Sequence, residues 1–144
     1  MANIIPFSFR GALFSAQHDL ASGGNTFKLS MYTANPYTTA STVYVATSEV
    51  STGGSSNYSI KTLANQAVAS TTAVASVDFD NVTWTSATFT ASFAAIYNST
   101  TVDGLANRLV VVLDFGGDKT ATNGDFTIAF PDAATPANAI ISMA

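Results

Sequence analysis

The sequence predicts an all-β chain: a single-domain, jelly-roll-like β-sandwich preceded by a short N-terminal helix or arm. Three observations predict it. Seven or eight short apolar runs follow one another, separated by turn signals, as in sandwiches and barrels. The stretch NRLVVVLDFGGDKTATNGDFTIAF (107–130) holds two strand-like runs around a polar centre. The first, Arg108 to Phe115, is Val-rich and nearly all apolar, as in a strand buried on both faces. The second, Asp125 to Phe130, alternates, with Phe126, Ile128 and Phe130 on one side. Finally, only residues 6–20 allow a helix.

Taken in order, the elements follow from local chemistry. Pro6 suits a first helical turn, and Phe7, Ala12, Leu13 and Phe14 recur at spacings that give one apolar face. Ser22, Gly23, Gly24 and Asn25 then break the chain. Thr26–Thr33 alternates, with Phe27, Leu29 and Met31 inward and Lys28, Ser30 and Tyr32 outward, which predicts a half-buried strand. Ala34–Thr42 is a polar connection and Val43–Ala46 a short strand. Ser48–Ser59 reads as a surface loop with a Gly-Gly turn, the segment expected to be mobile or in contact with partners. Tyr58–Leu63 suits an edge strand. Val74–Phe79 and Val82–Trp84 follow, then Ala87–Tyr97 with Phe89, Ala91, Phe93 and Ala95 on one face. Asn98–Asn107 is a loop, 115–124 a polar loop between the two runs, and Ala139–Met143 the last strand.

At 144 residues, the chain suits one domain, 1–144, able to bury roughly two-thirds of its unfolded surface. Residues 1–20 form its N-terminal arm or helix. Only 10% of residues are charged and the net charge is −4, against ~25% charged in an average domain. So little charge fits either a compact β domain with Thr- and Ser-covered faces or a surface covered by partners. Five Lys and Arg, dispersed along the chain, form no basic patch, which argues against nucleic acid. No run approaches the ~18 apolar residues of a membrane span, and Pro6 and Arg10 interrupt the N-terminus too early for a signal peptide. With no cysteine, disulfides, thiol nucleophiles and Cys-ligated zinc are excluded.

The chemistry-bearing residues predict no enzyme. His18, the only histidine, lies beside Asp19, but no G-x-S-x-G elbow supplies a nucleophile, so it reads as a capping or packing residue. Asp114, Asp118, Asn123 and Asp125 cluster around the 115–124 loop and could offer oxygen ligands to a structural calcium. Their spacing departs from an EF-hand, and capping of the turn is the expected role. Asp78 and Asp80 are a carboxylate pair without an aromatic-lined cleft. Trp84 is expected in the core. Asn57, Asn81 and Asn98 begin N-x-[S/T] sequons but are read as loop residues.

Five blocks in fixed order carry a resemblance: HDL (18–20), TFKLSMYT (26–33), the TSEVSTGGSSNY loop, VDFDNVTWTSATFTASFAAIYN (77–98) and VVVLDFGGDKTATNGDFTIAF (110–130). Over residues 13 to 143 the chain resembles a widespread family of small tailed-bacteriophage proteins. Those open with a short helix, run through an FKVAL-T strand and an NEVSG-GY loop, and close on a DFG-DK-S-NGTF-I hairpin and a terminal strand. Two departures stand out: Gly53-Gly54-Ser55-Ser56 replaces a Gly-Tyr step, and Ile4 to Phe9 is more apolar than the family's helix.

The resemblance implies a virion structural protein without catalytic residues, made in the host bacterial cytoplasm. Its leading form is a capsid decoration or cement protein on the capsid surface, bound to the major capsid protein and self-associating, as a homotrimer or other cyclic oligomer. A tail, baseplate or head–tail connector component is the second form. A carbohydrate-binding module, with Tyr32, Tyr37, Tyr44, Tyr58 and Tyr97 stacking on sugars, is the third reading. Ile4, Ile5, Phe7, Phe9 and Arg10 are the expected partner-binding residues, as an apolar arm that orders on docking; packing of the same segment onto its own sandwich is the alternative.

Overall fold

The computed structural model describes residues 3–131, 135 and 139–143. They form an all-β, sandwich-like domain of two antiparallel sheets with one short helix, as the sequence predicts. Helix α1 spans Phe7–Phe14. The strands are β1 (Phe27–Tyr32), β2 (Lys61–Thr62), β3 (Ala67–Ser70), β4 (Ala75–Asp78), β5 (Val82–Asn98), β6 (Arg108–Ile128) and β7 (Ile141–Met143). One sheet has the order β2-β1-β5-β6, the other β3-β4-β7.

Helix α1 is shorter than the 6–20 window because a left-handed residue ends it. Ala16 has φ 54°; its N–H donates to Leu13 O, and that of Gln17 to Ala12 O. These two bonds make a Schellman-type cap that satisfies the last carbonyls.

The predicted hairpin of 108–115 with 125–130 does not exist. Both runs and the polar centre between them belong to one strand, β6, which pairs with β5 from Asn98↔Arg108 to Val82↔Ile128. Gly116 and Gly117, at φ 71° and 135°, sit in a bulge: residues 115–118 stand opposite Ser92 alone, between the pairs Ala91↔Lys119 and Phe93↔Asp114, and pairing resumes beyond it. Its Thr and Asn content marks a solvated face: Thr90 and Thr120, like Thr83 and Thr127, join hydroxyls across the two strands at 2.7 and 2.8 Å. The alternation of Asp125–Phe130 holds as expected, with Phe126, Ile128 and Phe130 buried.

Strand β5 likewise fuses two predicted segments, and its register shifts between Trp84 and Ala87, Ala87 and Phe89, Ala91 and Phe93, and Ile96 and Tyr97. A one-residue shift turns the following side chains to the other face. Phe89, Ala91, Ala94 and Ile96 therefore lie in the main core. Phe93 and Ala95, expected beside Phe89, pack in a second cluster with Tyr32, Tyr37, Leu109 and Val112. That cluster also buries the predicted outer face of β1: Ser30 and Tyr32 are covered, so the strand is buried on both sides. Val43–Ala46 gives only a bridge, Val43↔Arg108. Strand β3 was not foreseen, because its Ala and Ser residues carry little strand signal.

The main core lies between the sheets, with Phe27, Leu29 and Met31 of β1 facing Val77 and Ile141 of β4 and β7. Its centre is aromatic. Trp84 meets the edge of Phe89 at 6.0 Å and of Phe126 at 6.2 Å, and Phe89 stacks on Phe126 at 4.8 Å. Trp84 is 1% exposed, and its indole N–H donates to Ser59 O at 2.8 Å, the partner that a buried indole needs. Replacing Trp84 by Ala should cost roughly 3–5 kcal/mol, read as a fall in urea midpoint. An unchanged midpoint would contradict this core.

Candidate functional site

Each predicted site residue has a definite place, and they do not form one free arm. Ile4 is hydrogen-bonded to the outer edge of β6: its N–H donates to Val112 O at 2.9 Å and its carbonyl accepts from Val112 N at 2.8 Å. Ile5 packs against the main core. Phe9, 1% exposed, is part of that core and is not a surface residue. Only Phe7 and Arg10 face outward, with the Arg10 guanidinium 4.6 Å from the Phe7 ring centre.

Helix geometry explains the split. Residues 7, 10, 11 and 14 share one side of a 3.6-residue helix, and 9 and 12 the other. Phe9 and Ala12 are buried, whereas Phe7 is 60% and Phe14 94% exposed. Between the two phenylalanines, Gly11 opens onto empty space. The helix is thus apolar on both faces, and only one of them is packed.

The apolar surface continues on either side of α1. Val43 and Leu105 are exposed and share a hollow with Ser8 and Phe9. Val68 and Met143 are exposed and share a cleft with Leu13 and Leu20. Every large hydrophobic side chain exposed among the described residues therefore sits on α1 or lines a hollow with it. Sequence reasoning missed Phe14, Val43, Leu105, Val68 and Met143 as a set, since they come from five separate segments.

Behind the helix, His18 anchors a buried polar network. Asn98 Oδ1 accepts from Thr100 N at 3.0 Å. Its Nδ2 therefore faces the other way, donating to Asn25 Oδ1 at 2.8 Å and His18 Nδ1 at 3.0 Å. An accepting Nδ1 means a neutral ring with its proton on Nε2. Burial, aided by the Arg108 charge, accordingly lowers the His18 pKa from 6.5 to about 4. Asp19, far from orienting the ring, accepts from Ala21 N at 3.1 Å. Ser8, which shares the hollow with His18, gives its hydroxyl to Ser41 O.

A second network was not anticipated. All five tyrosines gather around Glu49, the only glutamate of the chain. Tyr44 and Tyr58 donate to its two oxygens, Tyr97 lies against Tyr44 with ring centres 4.7 Å apart, and the Tyr32 and Tyr37 hydroxyls meet at 2.6 Å. Burial raises the Tyr58, Tyr44 and Tyr32 pKa values, and burial and Glu49 push Tyr97 up to about 12. The phenols therefore remain donors that hold the 43–58 segment on the sheet. Tyr32, Tyr37, Tyr58 and Tyr97 are buried, so they cannot stack on a sugar.

The acidic residues are spread out. Asp114, Asp118 and Asp125 lie along β6, where a strand rises ~3.3 Å per residue, rather than around a loop. Asp114 accepts from Gly116 N, Asp118 from Ser92 Oγ and Asp125 from Ser86 N. Asn123 donates its N–H to Thr88 Oγ1. Among the described residues no group of three or more His, Cys, Asp or Glu is placed to hold a metal. Asp80 accepts from Asn65 Nδ2 at 2.6 Å. Of the sequon residues, Asn98 is fully buried and Asn57 and Asn81 bond to Ser86 O and Phe130 N. No helix among the described residues is long and apolar enough to cross a membrane. Comparison with protein-family models, curated proteins and solved structures finds no match.

His18 makes stability depend on pH. Its folded pKa of about 4 lies below the ordinary histidine value of 6.5, so the unfolded chain takes up the proton first. The stabilisation is fully present above pH 6.5 and is lost as pH falls towards 4, up to about 3 kcal/mol. Urea unfolding at pH 7 and pH 4.5 should show the wild type losing more stability than His18→Gln. Parallel losses would contradict the assignment.

Proposed function

We propose that this chain is a structural protein of a tailed-bacteriophage particle that works by docking, in the form of a decoration or cement protein on the major capsid protein lattice. One observation carries the docking part: the exposed large hydrophobic side chains are concentrated around one half-packed helix. Scattered apolar residues are ordinary on a surface, but a contiguous apolar face seeks a partner. Its centre combines two aromatic rings and Arg10, residue types enriched at interfaces.

Three further features support the reading. Charge is confined to 10% of residues, as suits a chain largely enclosed by neighbours. Four of the five blocks of the phage resemblance fall on the frame, β1, the Glu49 segment, β5 and β6, and the fifth carries His18. The networks at His18 and Glu49 serve packing, which fits a protein whose task is adhesion. Docking by the helix face places the contact on a preformed surface, so little ordering entropy opposes it. A cyclic oligomer would present that face in several copies on a symmetric shell.

Phe7→Gln with Phe14→Gln tests the face. Both positions are exposed, so stability should change by less than about 1 kcal/mol. Attachment to particles lacking the protein should fall at least tenfold, and undiminished attachment would overturn the docking reading. Quantitative mass spectrometry of purified particles tests the virion role. Hundreds of copies per particle are expected. About a dozen would transfer the protein to the connector or tail, and absence would refute a structural role.

A further inference from the structure

We propose that the hollow between helix α1 and the start of β6 is a binding site for a carboxylate carried on a short aliphatic chain. The hollow measures about 240 Å³, below the ~300–1,000 Å³ of drug-sized sites, so its ligand has few heavy atoms. Phe9, Val43, Leu105 and Leu109 supply apolar walls, and Arg108, His18, Ser8 and Thr42 the polar ones.

The polar groups are biased towards donors. Arg108 is a permanent cation with five N–H groups and no acceptor. One of them, on Nη1, donates to Gln17 Oε1. Gln17 in turn donates through Nε2 to Asp103 Oδ2 at 2.7 Å, so the guanidinium is held from one side by a neutral amide. The carboxylate of Asp103 stands one residue further away. His18 also lines the hollow, and its Nε2–H, closed off behind the wall, has no acceptor among the described residues. A buried donor left unpaired is costly, so turning of the ring towards an acceptor in the hollow is favoured.

The complement of one cation, further N–H donors and apolar walls is a single negative charge with oxygen acceptors and a hydrocarbon tail. A carboxylate meets the planar guanidinium through two parallel bonds. A dianion would leave one charge uncompensated against apolar walls, at high desolvation cost. Val43 and Leu105, at the rim, also belong to the apolar face around α1. The carboxylate can therefore arrive as a free small acid or, on the docking reading above, as an acidic side chain of the docked partner.

The test uses the isolated full-length chain, so it does not depend on any docking partner. The ring ¹H–¹⁵N resonance of His18 is followed at pH 7 during titration with sodium butyrate, butyramide, or glutamate blocked at both backbone ends. Butyrate should shift the resonance saturably, and butyramide, which lacks the charge, should not. Arg108→Gln should weaken butyrate binding at least tenfold; the wild-type comparison decides the matter even if that variant fails to fold. Tighter binding of blocked glutamate would assign the site to a partner's side chain, and tighter binding of butyrate to a free acid. Equal shifts with butyrate and butyramide, or no saturable shift with either acid, would overturn the proposal and leave the hollow to water.

Discussion

The structure depends on the pairing of two long strands, β5 and β6, which run side by side from Asn98↔Arg108 to Val82↔Ile128. Every other part of the larger sheet is attached to this ribbon. Strand β1 pairs with β5 along Phe27–Tyr32, and Ile4 and Val43 bridge the outer edge of β6. One continuous pair serves two cores because its register shifts. At one end Trp84, Phe89 and Phe126 face the space between the sheets. Past the shift at Ala91/Phe93, alternate residues of β5 enter the tyrosine cluster. Antiparallel pairing over this length satisfies the backbone groups that the two strands turn towards each other, and the bulges aim their side chains.

Much of this architecture is legible in residue pattern. Alternation in 26–33 and 125–130 places strands and inward faces, and the position of Trp84 follows from ring size. The continuity of β6 is not legible, because Gly, Thr and Asn between two apolar runs are the signature of a turn and also of a solvated ribbon. Only the partner strand, with Thr83 and Thr90 opposite Thr127 and Thr120, distinguishes the two. The inversion of Phe93 and Ala95 is hidden for a similar reason, since a bulge leaves no mark on composition.

The candidate site was legible by half. An apolar N-terminal segment is visible, and Phe7 and Arg10 do reach the surface. The expected arm is nevertheless tied down, Ile4 by the β6 edge and Phe9 by the core, because a helix must divide its apolar residues between two faces. The remainder of the surface is assembled by folding: Val43, Val68, Leu105 and Met143 gain meaning only beside α1. The same holds for Glu49, whose five tyrosine neighbours lie as far apart in sequence as Tyr32 and Tyr97. Frame and face thus separate. Networks at Glu49 and His18 fix the shape, and the helix keeps one apolar face exposed.

The most direct measurement is hydroxyl-radical footprinting of the chain, free and within assembled particles, with oxidation at Phe7 and Phe14 quantified by mass spectrometry. The account predicts strong labelling of both rings in the free protein and protection of both in the particle. Equal labelling of Phe14 in the two states would contradict docking through the α1 face.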